Sequence, residues 1–315
     1  MARKKITLLI PAHNEELSLP ALKSALDALM DENPAYDWEV LFINDGSRDR
    51  TLELIRQMRK EDPRVSYVDL SRNFGKENAM LAGFDYAKGD AVVILDADLQ
   101  DPPSLIPRMI EYWEKGYDDV YAKRRSRGKE SWLRRNLSLL FYRILQSSTR
   151  FEVLENVGDF RLLDRRCINA LKKMRENERY TKGMFSWIGF KKQQILFDRS
   201  DRAAGESNFK YSSLFNLAIE GITSFTTTPL RIASVMGVIV SIWAVFYMLW
   251  ILFKTLMWGD PVAGYPTMMA VILFLGGVQL LSLGIIGEYL GRIFNETKNR
   301  PVYLAREYNG DLIDP

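Results

Sequence analysis

One cysteine, Cys167, and one histidine, His13, are all that 315 residues carry of either type. A single cysteine excludes an intramolecular disulfide and any cysteine-rich metal site. The glycine-rich phosphate cradles are missing too. No G-x-G-x-x-G follows the first apolar run, and no G-x-x-x-x-G-K-[ST] occurs anywhere. A phosphate ligand must then be held by a metal, by arginines, or by both. Excess charge is lacking: the formal net charge is +3, too small to argue for nucleic acid. The opening "MARKKITLLIPAHNEE" has a basic start, but its apolar run is short and stops at Pro11, a poor signal peptide. It reads as a first β-strand, so the N-terminal domain is expected in the cytoplasm.

What the chain does have is divided unevenly. Residues 1–210 are mixed and charge-rich, whereas residues 232–290 are almost entirely apolar. Ile232–Phe253 carries no charge over 22 residues. As a helix it is about 33 Å long, matching a hydrocarbon core of roughly 30 Å. A second uncharged run spans Thr267–Gly287, and Gly259, Pro261, Gly264 and Pro266 between the two supply turn chemistry. Buried core helices rarely run this long without a charge, so a transmembrane hairpin is expected. Arg231 precedes it, Arg292, Lys298, Arg300 and Arg306 follow it, and the connection holds only Lys254. That bias places both termini on the cytoplasmic side. Small residues in the second run (Gly276, Gly277, Ser282, Gly284, Gly287) permit close helix approach and a homo-oligomer.

In the first part, strand, loop and helix alternate about every 30 residues. The strands are expected at Ile6–Ile10, Trp38–Ile43, Val65–Leu70 and Ala91–Leu95. The helices are expected at Leu17–Met30, with Ser18 as N-cap, Thr51–Lys60 and Asn78–Ala87. This is an α/β fold with a mostly parallel sheet, in which ligands lie outside the carboxyl ends of the strands. The polar clusters "PAHNEE", "NDGS", "SRNFGK" and "DADLQ" all fall at those ends and define a pocket. In the last of them Asp96 and Asp98 share one face of an extended chain, with Ala97 pointing away. Oxygen ligands with no histidine or cysteine beside them suit Mg²⁺ or Mn²⁺. Gln100 can add a carbonyl oxygen. The alternative is a solvated turn with capping aspartates.

"IPAHNEE", "FINDGSRDRT", "RNFGKENAMLAG", "GDAVVILDADLQDPP" and "ENVGDFRLLDR" together resemble the successive motifs of family 2 glycosyltransferases, which have the GT-A fold. More narrowly the chain resembles the polyprenyl-phosphate group, the dolichol-phosphate mannose synthases and bactoprenol glucosyltransferases. "EGITSFTTTPLR", two apolar runs and "GEYLGRIFNETKNRPVY" favour the latter. The resemblance implies that Pro11, His13 and Glu15 contact the nucleoside, and that Asp45 hydrogen-bonds the base. It places Asp96, beside Ala97, at the sugar-phosphate, and Asp98 and Gln100 on the metal. Asp159 matches an acidic position proposed as base or acceptor-positioning group. Such relatives often have an aromatic residue where this chain has His13.

A lipid phosphate monoester carries about −1.5 to −2 at pH 7, so it is already a nucleophile and needs cations to hold it in line. "AKRRSRGKESWLRRN" offers seven, most of them expected to form a basic face at an anionic leaflet. Arg124, after an apolar strand-like run, and Arg134, opening a helix, are the favoured phosphate contacts, with Ser138. In the family pattern Arg202, Ser207 and Lys210 belong to a mobile loop near the acceptor. Leu133–Leu145 and Tyr211–Phe225 have amphipathic spacing, interfacial or core.

The expected organisation is a catalytic domain over 1–210, an interfacial helix over 211–231, two transmembrane helices over 232–290 and a tail over 291–315. The expected activity is inverting transfer of a hexose, glucose from UDP-glucose, to undecaprenyl phosphate at the cytoplasmic face of a bacterial inner membrane. GDP-mannose or a UDP-aminoarabinose derivative are alternative donors. A processive synthase is disfavoured by two spans and a missing Q-x-x-R-W. A membrane-anchored nucleotide-sugar sensor without turnover is the rival from another class.

Overall fold

The computed structural model describes residues 3–125, 146, 157–177, 179–197, 228–258 and 264–313. Compact contacts divide the chain into two units: Met1–Ala218 with Arg300–Pro315, and Ile219–Asn299.

The first unit is built on a nine-stranded sheet. Its strands are β1 (Lys5–Ala12), β2 (Asp37–Asn44), β3 (Val65–Leu70), β4 (Ala91–Ile94), β5 (Asp119–Arg124), β6 (Val157–Asp164), β7 (Lys192–Phe197), β8 (Ala305–Tyr308) and β9 (Asp311–Leu312). Their order across the sheet is β7-β5-β6-β4-β1-β2-β3-β8-β9. The four central strands, β4-β1-β2-β3, are all parallel. Only β6 and β8 run against the rest, so seven of the nine described strands point one way. This is the GT-A type of α/β sheet, with mostly parallel strands.

Helices α1 (Leu19–Glu32), α2 (Thr51–Glu61), α3 (Lys76–Tyr86), α4 (Ile106–Glu114), α5 (Arg165–Leu171) and α6 (Thr181–Trp187) accompany it. The central strands are buried along almost their whole length, as helix-covered parallel strands must be. In α1 the buried residues Leu19, Leu22, Leu26, Leu29 and Met30 recur every three or four positions, one stripe facing the sheet. Helix α3 buries Ala79 through Phe84 without interruption and comes closest. A Cβ on Gly83 would lie 2.1 Å from a Leu9 methyl of β1. The glycine lets α3 pack closely on β1 at that point.

The second unit consists of α7 (Thr228–Trp258) and α8 (Tyr265–Thr297), which pack on each other. Trp243 and Tyr247 stack along α7 at 5.4 Å. Both helices outrun the expected spans. Lys254 therefore lies inside α7 rather than in the connection. Among the described residues Phe274–Thr297 is long and apolar enough to cross a membrane, and Ala233–Tyr247 is a shorter apolar stretch.

The expected tail over 291–315 is not a single piece: it divides before Arg300, where the second unit ends. Residues 300–315 return to the first unit, and β8 pairs antiparallel with β3. The docking is polar. Arg306 donates to the fully buried Asp69 at 2.9 Å and 2.7 Å. Glu307 accepts from Arg56 and from the Tyr67 hydroxyl. Tyr303 donates to Asp85 at 2.6 Å. Arg306, counted above among the charges flanking a membrane span, thus has a structural partner in the sheet. The stretches Leu133–Leu145 and Tyr211–Phe225 lie outside the described residues.

Asp69 has one other side-chain donor, Asn44, at 2.7 Å. Arg306→Ala is therefore expected to lower stability by about 1–3 kcal/mol, the cost of a buried carboxylate losing its charged partner. Chemical denaturation of the purified protein measures it, and Arg306→Lys should recover part of the loss.

Candidate functional site

Three parallel strands end side by side and deliver their next residues to one edge. Ala12 pairs with Asn44, and the Asp45 amide donates to the Ala12 carbonyl at 2.9 Å. At the end of β4 the Leu95 amide donates to Leu9 at 3.0 Å, which sets Asp96 beside the end of β1. A cavity of about 320 Å³ opens there. Pro11, His13, Glu15, Asp45, Asp96, Ala97 and Asp98 line it, seven residues expected from the sequence, joined by Ala12, Asn73, Gly75, Lys76 and Ala79.

The loop before α3 is braced from below. Both oxygens of Asp45 accept backbone amides, from Phe74 at 2.7 Å and Gly75 at 2.9 Å. Gly46 (φ 63°) lies so close to this loop that a Cβ would come within 2.4 Å of the Arg72 and Asn73 backbone. Asp45 is thus first a loop brace. A ligand contact falls to whichever lone pairs those amides leave. His13 is fixed as well: Nδ1 meets the Asp45 carbonyl at 2.8 Å, and Nε2 meets the Asn14 and Asn73 side-chain amides at 3.1 Å each. With both amides donating, Nε2 accepts and Nδ1 carries the proton.

The acidic turn shows why such a cluster needs compensation. Strands β4 and β6 are antiparallel, with Ala91 opposite Asp164 and Ile94 opposite Arg161. Continuing that register by two residues sets Asp96 opposite Asp159. Like charges directly opposite repel. Lys76, the first residue of α3, sits between them, 2.5 Å from Asp96 and 2.7 Å from Asp159. Burial pulls the Lys76 ammonium down, but the two carboxylates outweigh it and hold it above the ordinary lysine range. Burial likewise raises Asp159, yet Lys76 and Lys182 hold it below the usual carboxylate range. Glu15, on the other side, is raised, first by burial and then by Asp98 and Asp96, while Ser18 donates to it at 2.6 Å. Ser18 therefore serves Glu15 and makes no side-chain cap to α1.

Asp98 lines the cavity and accepts the Gln100 amide at 3.1 Å, a turn made possible by Leu99 at φ 57°. Gln100 is buried, and its Oε1 has no hydrogen-bond partner among the described residues. Arg124 ends β5, and its guanidinium lies near Gly158, next to Asp159. Arg134, Ser138, Arg202, Ser207 and Lys210 lie outside the described residues.

Lys76, Glu77 and the α6 helix escaped the sequence reading. The sequence pattern starts the third helix at Asn78 and leaves Lys76 in the polar loop before it. The signal was present: Gly75 (φ 91°) precedes the helix and can adopt a conformation that L side chains avoid, and a Gly-Lys pair faces the acidic turn. Glu77 lies behind the lysine, and its carboxylate accepts the Thr181 amide of α6 at 3.0 Å. Behind Asp159 the fully buried Arg161 pairs with Asp119 at 3.0 Å and covers the Phe185 ring at 3.8 Å, which locks α6 against β6.

Burial, followed by Asp159, pushes Glu77 up to about 7. Its folded value lies above its unfolded one, so the folded state keeps a proton that the unfolded state releases. Stability should fall as pH rises from about 4.5 to about 7. Glu77→Gln, which retains an acceptor for the Thr181 amide, is expected to flatten that decline by about 1–2 kcal/mol. Melting curves of both proteins at pH 5, 6, 7 and 8 test this.

Residues 7–171 match glycosyl transferase family 2, and residues 228–293 match the GtrB C-terminal hairpin. The chain is 43% identical over 302 residues to the bactoprenol glucosyl transferase of Shigella phage SfX, covering 96% of this chain and 99% of that protein. It is 43% identical over 309 residues to the putative glycosyltransferase CsbB of Bacillus subtilis, covering 98% and 93%. Among solved structures, a glucosyl-3-phosphoglycerate synthase from Mycobacterium tuberculosis is similar with a TM-score of 0.47 at 18% identity, over 70% of this chain and 78% of that one. The chain belongs to glycosyl transferase family 2, as a glycosyltransferase whose second unit is the GtrB C-terminal hairpin.

Proposed function

We propose that this chain transfers glucose from UDP-glucose to undecaprenyl phosphate, or a polyprenyl phosphate like it, with inversion at the anomeric carbon. The observation that carries the reading is the identity to bactoprenol glucosyl transferases, which runs through both units at 43% over 96% of the chain. The cavity is consistent with it, since an acid-lined pocket at the ends of parallel strands suits a nucleotide diphosphate with a cation.

The side chains divide the work. Pro11, His13, Glu15 and Asp45 surround the nucleoside, with Asp96 and Ala97 at the sugar-phosphate. Asp98 and Gln100 would hold Mg²⁺ or Mn²⁺. The donor set fits such an ion: it is all oxygen, and the buried Gln100 Oε1 has no hydrogen-bond partner among the described residues. When bound, the ion supplies positive charge beside the departing diphosphate. A phosphate oxygen of the acceptor attacks C1 of the glucose, the bond from C1 to the diphosphate breaks, and UDP leaves with that electron pair. The acceptor arrives ionised, so no proton must be removed. Asp159, held ionised between Lys76 and Lys182, is a weak base and a strong anchor. Its role is to orient groups around C1. Arg124, with Arg134, Ser138, Arg202, Ser207 and Lys210, would grip the acceptor phosphate.

The second unit would place this chemistry at a bilayer. Two passes, with both termini on the cytoplasmic side, agree with the basic residues at the hairpin ends, and the small residues of α8 would support association between copies. A bacterial inner membrane follows from the bactoprenol acceptor.

The test offers purified protein a panel of labelled UDP- and GDP-sugars with undecaprenyl phosphate, with and without EDTA. A glycolipid from UDP-glucose, absent in EDTA, is expected. Preference for GDP-mannose or a UDP-aminoarabinose derivative would reassign the donor, and nucleotide-sugar binding without any glycolipid would identify a sensor. Asp98→Ala should lose at least about 100-fold in turnover. Asp159→Asn should lose less than Asp98→Ala if no base is needed.

A further inference from the structure

We infer that Lys76 is a positioning residue that makes metal binding conditional on the nucleotide: its ammonium occupies the acidic cleft until a diphosphate arrives. The inference rests on the metal-dependent donor site proposed above. Three observations lead to it. Extending the β4–β6 register sets Asp96 opposite Asp159, and Lys76 lies within ion-pair distance of both. The lysine is no surface ornament, because it opens a helix pinned to β1 by the Gly83–Leu9 contact and joined to β2 by the Asp45 brace. And among the described residues no three Asp, Glu, His or Cys side chains gather as a ready-made cation site.

Without ligand, one ammonium already serves two carboxylates. A divalent cation at Asp98 would enter beside that ammonium and be repelled by it. A nucleotide diphosphate brings two or more negative charges of its own. The cleft can then hold both the divalent ion and the lysine, and Lys76 can turn from Asp96 toward the incoming phosphates. Metal and nucleotide should therefore bind together, each weak without the other. Of its two partners Asp159 is the more deeply buried, 11% exposed against 30% for Asp96, so the lysine keeps Asp159 when it turns.

The measurement is Mn²⁺ binding followed by the spectroscopic signal of the free ion, on the full purified chain and without acceptor. The wild type should bind Mn²⁺ weakly alone and at least about tenfold more tightly with UDP present. Lys76→Met should bind Mn²⁺ alone about tenfold more tightly than wild type, with a smaller gain from UDP. Lys76→Arg, which keeps the charge, should behave as wild type. If Lys76→Met does not fold, Lys76→Gln serves the same purpose. Equal Mn²⁺ affinity in the wild type and the neutral variant overturns the inference, as does a wild-type affinity that UDP leaves unchanged. Either result can stand beside normal glycolipid synthesis, so it does not touch the proposed activity. Conversely, the expected Mn²⁺ behaviour without any glycolipid would refute the activity and leave the role of Lys76 intact.

Discussion

Carboxylates at the ends of neighbouring strands repel, and the candidate site exists because an ammonium offsets them. Asp96 follows β4 and Asp159 lies in β6, so the antiparallel register alone drives them together. Lys76 reaches both from a third element. Three separate parts of the sheet unit are thereby tied at one point. The geometry around the cavity follows from this: the acidic turn is free to face the ligand, Asp159 remains ionised, and the start of α3 closes the cavity on one side.

Around that point the chain uses backbone contact more than side-chain bulk. Gly83 lets α3 touch Leu9, and Gly46 lets the β2 loop touch the loop before α3. Asp45 spends both oxygens on amides of that second loop. Rigid placement of this kind keeps polar groups aimed before a ligand arrives, which lowers the cost of binding it. Behind Asp159, the Arg161–Asp119 pair is wholly buried and covered by Phe185. A charged pair there costs desolvation, and its effect is to orient β6 and α6 relative to the acidic edge.

Much of this was legible in the sequence. Val65–Leu70 falls on β3 with identical bounds, and the second helix ends one residue beyond its expected limit, because apolar periodicity between polar turns is a local signal. The six residues expected around the nucleotide-sugar, together with Asp98 expected on the metal, line one cavity, because parallel strands bring their carboxyl-end loops to a single edge. The third helix was started two residues late, and Lys76 was lost with those two residues. Its meaning depends on Asp159, 83 positions away (159 minus 76), and no local pattern reveals that. Strand β8 was missed for the same reason. "AREY" is too short to announce itself and becomes a strand only against β3, some 240 residues earlier. Lys254 was assigned to a turn because Gly259 and Pro261 follow it closely, yet the helix continues to Trp258.

Strand β8 also dictates when the edge of β3 can be covered. Translation produces β1 through β7 first, then both hairpin helices, and β8 only afterwards. Until then the outer edge of β3 has open amides and carbonyls, and Asp69 lacks its arginine. An open edge is where chains stick to one another. A nascent chain therefore carries a sticky, half-charged seam through the whole time that both hairpin helices are being made.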